Sequence, residues 1–205
     1  MIIDEPVRGS VPPPWFSALP GIDRIRAFSN GLLPLPPLFR LLGIRPAHVG
    51  PGSGTWTMPA SDWLSSDRGA FEISAFVETV LTGVATTALP PAVEVVPVTF
   101  SISYFRPTRA LPGNLLARGR VVNTSSFFAF AEVEIEDPQG RQLAHAASQL
   151  AIRPVQPPPP PPPSELRPIE EPLYATPDPC LWPAPSAVAP SEASEQETAS
   201  RSCAG

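Results

Sequence analysis

The chain has 205 residues, a net charge of −5 and no lysine, so all 14 basic residues are arginine. No basic stripe is visible, which argues against nucleic-acid binding, and no apolar run is long enough to span a membrane. Pro is heavily over-used, with 32 residues against a usual share of about 5%, and both cysteines, Cys180 and Cys203, fall in the Pro-rich C-terminal stretch, which excludes a disulfide framework or a CxxC metal site.

The start, "MIIDEPVRGS", has no basic stretch followed by an apolar run, so no secretory signal is expected and a cytoplasmic location fits. Residues 1–20 are Pro-rich and read as extended. "GIDRIRAF" (Gly21–Phe28) reads as a short helix burying Ile22, Ile25 and Phe28. "PPLFRLLG" (Pro36–Gly43) reads as a helix with Pro at its start and Gly at its end. "SGTWTMP" (Ser53–Pro59) alternates like a strand.

Next, "GAFEISAFVETVLTGVATTALPP" (Gly69–Pro91) reads as one long helix. Ile73, Phe76, Val77, Val80, Leu81 and Val84 share one face, which predicts burial against a sheet. Ser74, Ala75, Glu78, Thr82, Ala85 and Thr86 share the other. That face is small and hydroxylated where a solvated helix would be charged, so a second chain is expected to cover it. Glu78 is either an ordinary surface glutamate or a carboxylate placed at a cleft.

Four strands follow. "VEVVPVTFSISYFRP" (Val93–Pro107) sets Phe100, Ile102 and Tyr104 against Ser101, Ser103 and Phe105. "GNLLARGRVV" (Gly113–Val122) sets Leu115, Ala117, Gly119 and Val121 against Leu116, Arg118, Arg120 and Val122. "FFAFAEVEIED" (Phe127–Asp137) points Phe127, Ala129, Ala131, Val133 and Ile135 one way and Glu132, Glu134 and Glu136 the other. "DPQG" (Asp137–Gly140) is turn chemistry, and "RQLAHAASQLAI" (Arg141–Ile152) closes the sheet. His48 and His145 have no metal-ligand spacing, and His145 reads as structural. This order predicts an α+β fold, one helix packed on an antiparallel sheet. Residues 156–205 read as a disordered, partly polyproline tail, serving as a spacer or as a ligand for an SH3- or WW-like groove.

The layout and the segments "PPLFRLLGIRPAHVGPGSGTWTMPASDWL", "VETVLTGVATTALPP", "VTFSISYFRP", "LLARGRVV" and "AEVEIEDPQGRQLAHAASQLAI" resemble the PaaI-like hotdog-fold acyl-CoA thioesterases. The resemblance covers about Leu33 to Val155. It implies a hotdog domain over 33–155, with an antiparallel sheet wrapped around one central helix, between an extension over 1–32 and the tail. It implies a homodimer or homotetramer, no cofactor and no metal. It also implies a carboxylate on the helix that activates water at the thioester carbonyl. In the family that residue lies about eleven positions before the Leu-Pro ending the helix, and counting back from Leu89 gives Glu78. A glycine-rich turn at the helix start offers amides to the thioester oxygen. The corresponding residues are Gly69, Ala70 and Phe71, in "RGAF", with one glycine of the usual pair and no His. Arg106, Arg109, Arg118 and Arg120 are the candidates for the coenzyme A phosphates. The alternative is a hotdog protein that binds acyl-CoA, or acts as a scaffold, without turnover. A hydratase fits less well, because no Asp/His pair stands at the helix start.

Overall fold

The computed structural model describes residues 12–61, 73–107 and 113–157. A 3-10 turn at Pro14–Ala18 leads into α1 (Gly21–Ser29) and α2 (Pro37–Leu42), and then into β1 (Arg45–Gly50) and β2 (Ser53–Pro59). The central helix α3 covers Ser74–Thr87 and is followed by β3 (Val93–Tyr104), β4 (Asn114–Thr124), β5 (Phe128–Glu136) and β6 (Gln142–Pro154). All strand pairs are antiparallel, and the sheet order is β1-β2-β4-β5-β6-β3. Helix α3 touches all six strands, as the hotdog arrangement requires.

The packing follows from the side-chain periods. Ile73, just before α3, and Phe76, Val77, Val80, Leu81 and Val84 on it are all buried, the face expected from their spacing. The sheet answers with every second residue: Trp56 and Met58 from β2, Leu115 and Ala117 from β4, Ala129, Ala131, Val133 and Ile135 from β5. Each such large apolar side chain contributes about 1.5–3 kcal/mol by leaving water. Two glycines let the layers meet. A Cβ on Gly83 would stand 3.0 Å from the Trp56 ring, and one on Gly119 would stand 3.0 Å from Val80. Gly52, in the β1–β2 turn, donates its amide to Thr87 Oγ1 over 2.9 Å. The C-terminal end of α3 therefore lies over the β1–β2 turn.

Several expectations need correction. β1 was not read from the sequence, because Pro46 and a register shift between Pro46 and His48 break its alternation. Residues 14–18 form a 3-10 turn where an extended stretch was expected. In α1, Ile22 is half-buried and Arg24 is buried in its place. Ala85, placed on the open face by its helical angle, is fully buried. Phe127 precedes β5 and is 72% exposed, so it does not join the inward row.

The main difference concerns α1. It packs on α3, with the Gly21 amide donating to Leu89 O over 3.0 Å. Ile25 joins the main core, while Phe28 packs with Phe16 and Phe39 at ring-centre distances of 5.2 Å and 6.1 Å. The chain from Pro12 to Asn30 is thus part of the packed body and not an appendage to it.

Candidate active site

Glu78 lies one turn into α3, and its side chain is exposed. With Thr79, Thr82, Gly83 and Thr86 it lies along one strip of the helix, the spacing that stacks residues on a common face. This strip floors a cavity of about 380 Å³. Phe16, Ile25, Leu38 and Phe39 form an apolar wall contributed by the 3-10 turn, α1 and α2, and Arg24 and Glu94 close the far end. Among the described residues Glu78 has no hydrogen-bond or ion-pair partner, so its carboxylate is free to act on a ligand. The Thr86 hydroxyl is not free in this way, since it donates to Thr82 O over 2.8 Å.

The polar groups at the far end are occupied with structure. Arg24 is buried, and its guanidinium donates to Leu19 O (2.9 Å), Val93 O (2.7 Å) and Pro90 O (3.1 Å). Burial pushes its pKa down, and the nearby Glu94 carboxylate partly offsets this. Glu94 accepts from Ser17 Oγ over 2.6 Å and pairs with Arg153 at 3.7 Å. These contacts clamp the 3-10 turn and α1 to the α3–β3 connection and hold the cavity wall in place.

The remaining candidates fall elsewhere. Gly69, Ala70, Phe71 and Arg109 lie outside the described residues. Arg118 and Arg120 project from the face of the sheet opposite α3. Arg118 pairs with Glu136 at 3.2 Å, and Arg120 with Glu132. His145 lies on the same outer face, 3.8 Å from Glu132. Arg106 is exposed and donates to Gln142 O over 2.7 Å. Within one protomer, then, the structure does not bring Arg118 and Arg120 together with Glu78. Among the described residues no group of three or more His, Cys, Asp or Glu is placed to hold a metal ion, and no helix is long and apolar enough to cross a membrane. Phe16 and Ile25 escaped the sequence reading of the site. Phe16 falls in the stretch that reads as extended and Ile25 in a helix whose docking on α3 has no local signal, and the packing of the 3-10 turn and α1 brings both to the cavity that Glu78 lines.

The sequence profile of the thioesterase superfamily matches residues 72–144, the span from the start of α3 into β6. Solved structures with the same fold include a putative thioesterase related to phenylacetic acid degradation from Ralstonia eutropha. It is 20% identical with a TM-score of 0.57, over 62% of this chain and 98% of that one. The domain has the hotdog fold. The E. coli PaaI protein, from the phenylacetic acid degradation operon, superposes with a TM-score of 0.51 at 16% identity, over 58% of this chain and 84% of that one. A thioesterase from Haemophilus influenzae gives 0.52 at 19% identity, over 57% and 82%. No curated protein sequence matches significantly. The neighbours show the fold, and the profile match over residues 72–144 points to the thioesterase superfamily.

Proposed function

We propose that the domain hydrolyses an acyl-CoA thioester, with Glu78 as the base that activates water. The observation that carries this reading is an unpartnered carboxylate on the central helix, facing a cavity with an apolar wall. In the reaction, water attacks the thioester carbonyl and Glu78 takes its proton. The tetrahedral intermediate then expels the coenzyme A thiolate, which recovers that proton from Glu78, giving a carboxylic acid and free thiol. Gly69, Ala70 and Phe71 precede α3 in sequence, and amides there would add to the positive end of the helix in stabilising the oxyanion. Phe16, Ile25, Leu38 and Phe39 are the apolar surface available to the acyl group. The reading includes a cytoplasmic homodimer or homotetramer. β3 is an edge strand with Val98, Phe100 and Tyr104 exposed, and a second copy would cover them.

The test is a panel of acyl-CoAs with detection of free thiol. Glu78→Gln keeps the shape but cannot take a proton, so turnover should fall by about 100-fold or more. Melting temperature should not change, because the side chain is exposed and holds nothing. A variant as fast as the parent refutes the assignment. The second reading is an acyl-CoA-binding protein without turnover, favoured by the single glycine and missing His of "RGAF". It predicts saturable binding with no thiol release from the parent.

A further inference from the structure

The chain leaves the sheet beside the Glu78 cavity. Pro154 pairs with Val93, and the Val155 amide donates to Ala92 O over 2.9 Å. The Ala92 amide donates in turn to Ser17 O over 2.8 Å, inside the 3-10 turn whose Phe16 walls the cavity. Gln156 is exposed, but Val155 and Pro157 are half-buried, so the chain still lies against the body where the run Pro157–Pro163 begins. A proline has no amide to donate, so the ladder with β3 cannot continue through this run. Only side-chain packing can hold it.

An apolar surface stands open within reach. Leu38 and Leu41, spaced to share one side of α2, are 44% and 37% exposed. Leu38 lines the Glu78 cavity together with half-buried Phe16 and Phe39. Ring contacts link Phe16 to Phe28 and Phe28 to Phe39, and Trp15 packs on the same cluster. Aromatic rings flanked by apolar side chains are what polyproline segments dock on. The proline rings supply apolar area, and the backbone is already set, so little freedom is lost. At about 3.1 Å per residue the run spans roughly 20 Å, about twice the width of a helix. From Pro157 that is enough to cross the cavity mouth from the 3-10 turn to α2.

We propose that Pro157–Pro163 docks back on its own domain along Phe16, Leu38 and Leu41, as a strap across the mouth of the Glu78 cavity. Connection selects this occupant over others. A segment joined to the surface by a short link has an effective concentration there in the millimolar range, which a second copy or another protein does not reach. The strap takes apolar surface out of water and competes with any ligand that enters the cavity from that side. The inference stands without the hydrolase reading, since it concerns the surface and not the chemistry.

The test is amide exchange in the full-length chain, comparing the parent with a variant carrying the changes Pro158→Ser through Pro163→Ser. Exchange at Phe16, Leu41 and Leu42 should speed up about 10-fold, the equivalent of roughly 1.4 kcal/mol of docking, while exchange in β5 stays the same. Leu41→Ser should give a similar rise. Added to the Pro→Ser variant it should bring little more, because both changes remove one contact. Val122→Ser, which alters a more exposed apolar side chain on β4, should leave these amides unchanged. A WW domain should bind the parent about 10-fold more weakly than it binds the free Pro157–Pro163 peptide, because it must first displace the strap. Unchanged exchange in the Pro→Ser variant overturns the proposal. Equal WW affinity for parent and peptide also overturns it, leaving the run free for another protein. Protection that disappears on dilution assigns the surface to the run of a second copy and overturns the intrachain strap.

Discussion

Replacing Gly21 with Ala tests whether α1 belongs to the body of the domain. Gly21 opens α1 against the C-terminal turn of α3. A Cβ there would overlap the carbonyl oxygen of Thr86 and stand 2.8 Å from its carbonyl carbon. The obstacle is backbone, held by its own helix, so no side chain can swing aside. Relieving it means moving α1 off α3. That movement would also strain the Gly21–Leu89 bond and the three carbonyl contacts of Arg24. Overpacking of this kind costs about 1–3 kcal/mol. For a domain of this size that corresponds to a fall of about 4–12 °C in Tm. A loose α1 gives the opposite sign. Ala is a better helix residue than Gly by up to about 1 kcal/mol, so a free helix would gain. Calorimetric melting of the full chain decides, with amide exchange over residues 21–29 as the second reading. An unchanged or raised Tm with unchanged protection in α1 refutes the docking argument.

Arg24→Met keeps the apolar stem but leaves the Leu19, Pro90 and Val93 carbonyls without their donor. It should lower stability by about 2–4 kcal/mol, read as a shift in urea midpoint at constant m-value. Asp137 gives a pH signature. Burial would raise its pKa, but the Arg141 and Gln139 amides and the Arg141 guanidinium outweigh this and hold it below the usual carboxylate range. A depressed carboxylate stabilises the fold above its unfolded pKa of about 3.9, and the benefit is lost as pH falls through the folded value. Asp137→Asn should therefore be less stable than the parent at pH 7, with the gap closing below about pH 4. A gap constant with pH would show that the ionised form is not what matters. Sedimentation at micromolar concentration should give a dimer or tetramer, and a monomer would leave the β3 edge without its expected cover.

What the sequence made legible was what depends on near neighbours. Ser53–Pro59 alternates, and β2 has those bounds. The Pro and Gly at the ends of "PPLFRLLG" fix α2, and the αL conformation of Gly43 is what such a Gly supplies. The inward row of β5 and the buried face of α3 follow from periods of 2 and 3.6. What stayed hidden depends on partners distant in sequence. By spacing alone Ile22 belongs to the buried side of α1. Arg24 is buried instead because the α3–β3 connection supplies the carbonyls of Pro90 and Val93, some 66–69 residues away in the chain. Arg118 and Arg120 drew attention as unexplained charges, but their partners Glu136 and Glu132 stand across a hairpin whose register no single strand reveals.

The same distinction decides what covers the small-residue face of α3. The sequence shows only that this face avoids charge, and a partner chain is one way to explain it. The structure supplies part of the cover from within. α1 lies against the C-terminal half of the face, where Gly21 meets Thr86 and where Ala85 is buried. The N-terminal half is treated differently, with Ser74 and Ala75 half-buried and Glu78 exposed. Intrachain cover therefore accounts for the C-terminal part of the face, and what it leaves open are the residues around the carboxylate. A glutamate under α1 would have to be desolvated without a partner, at a cost of several kcal/mol. At position 78 it stands exposed where the intrachain cover ends, beside a cavity wall that the fold has already built.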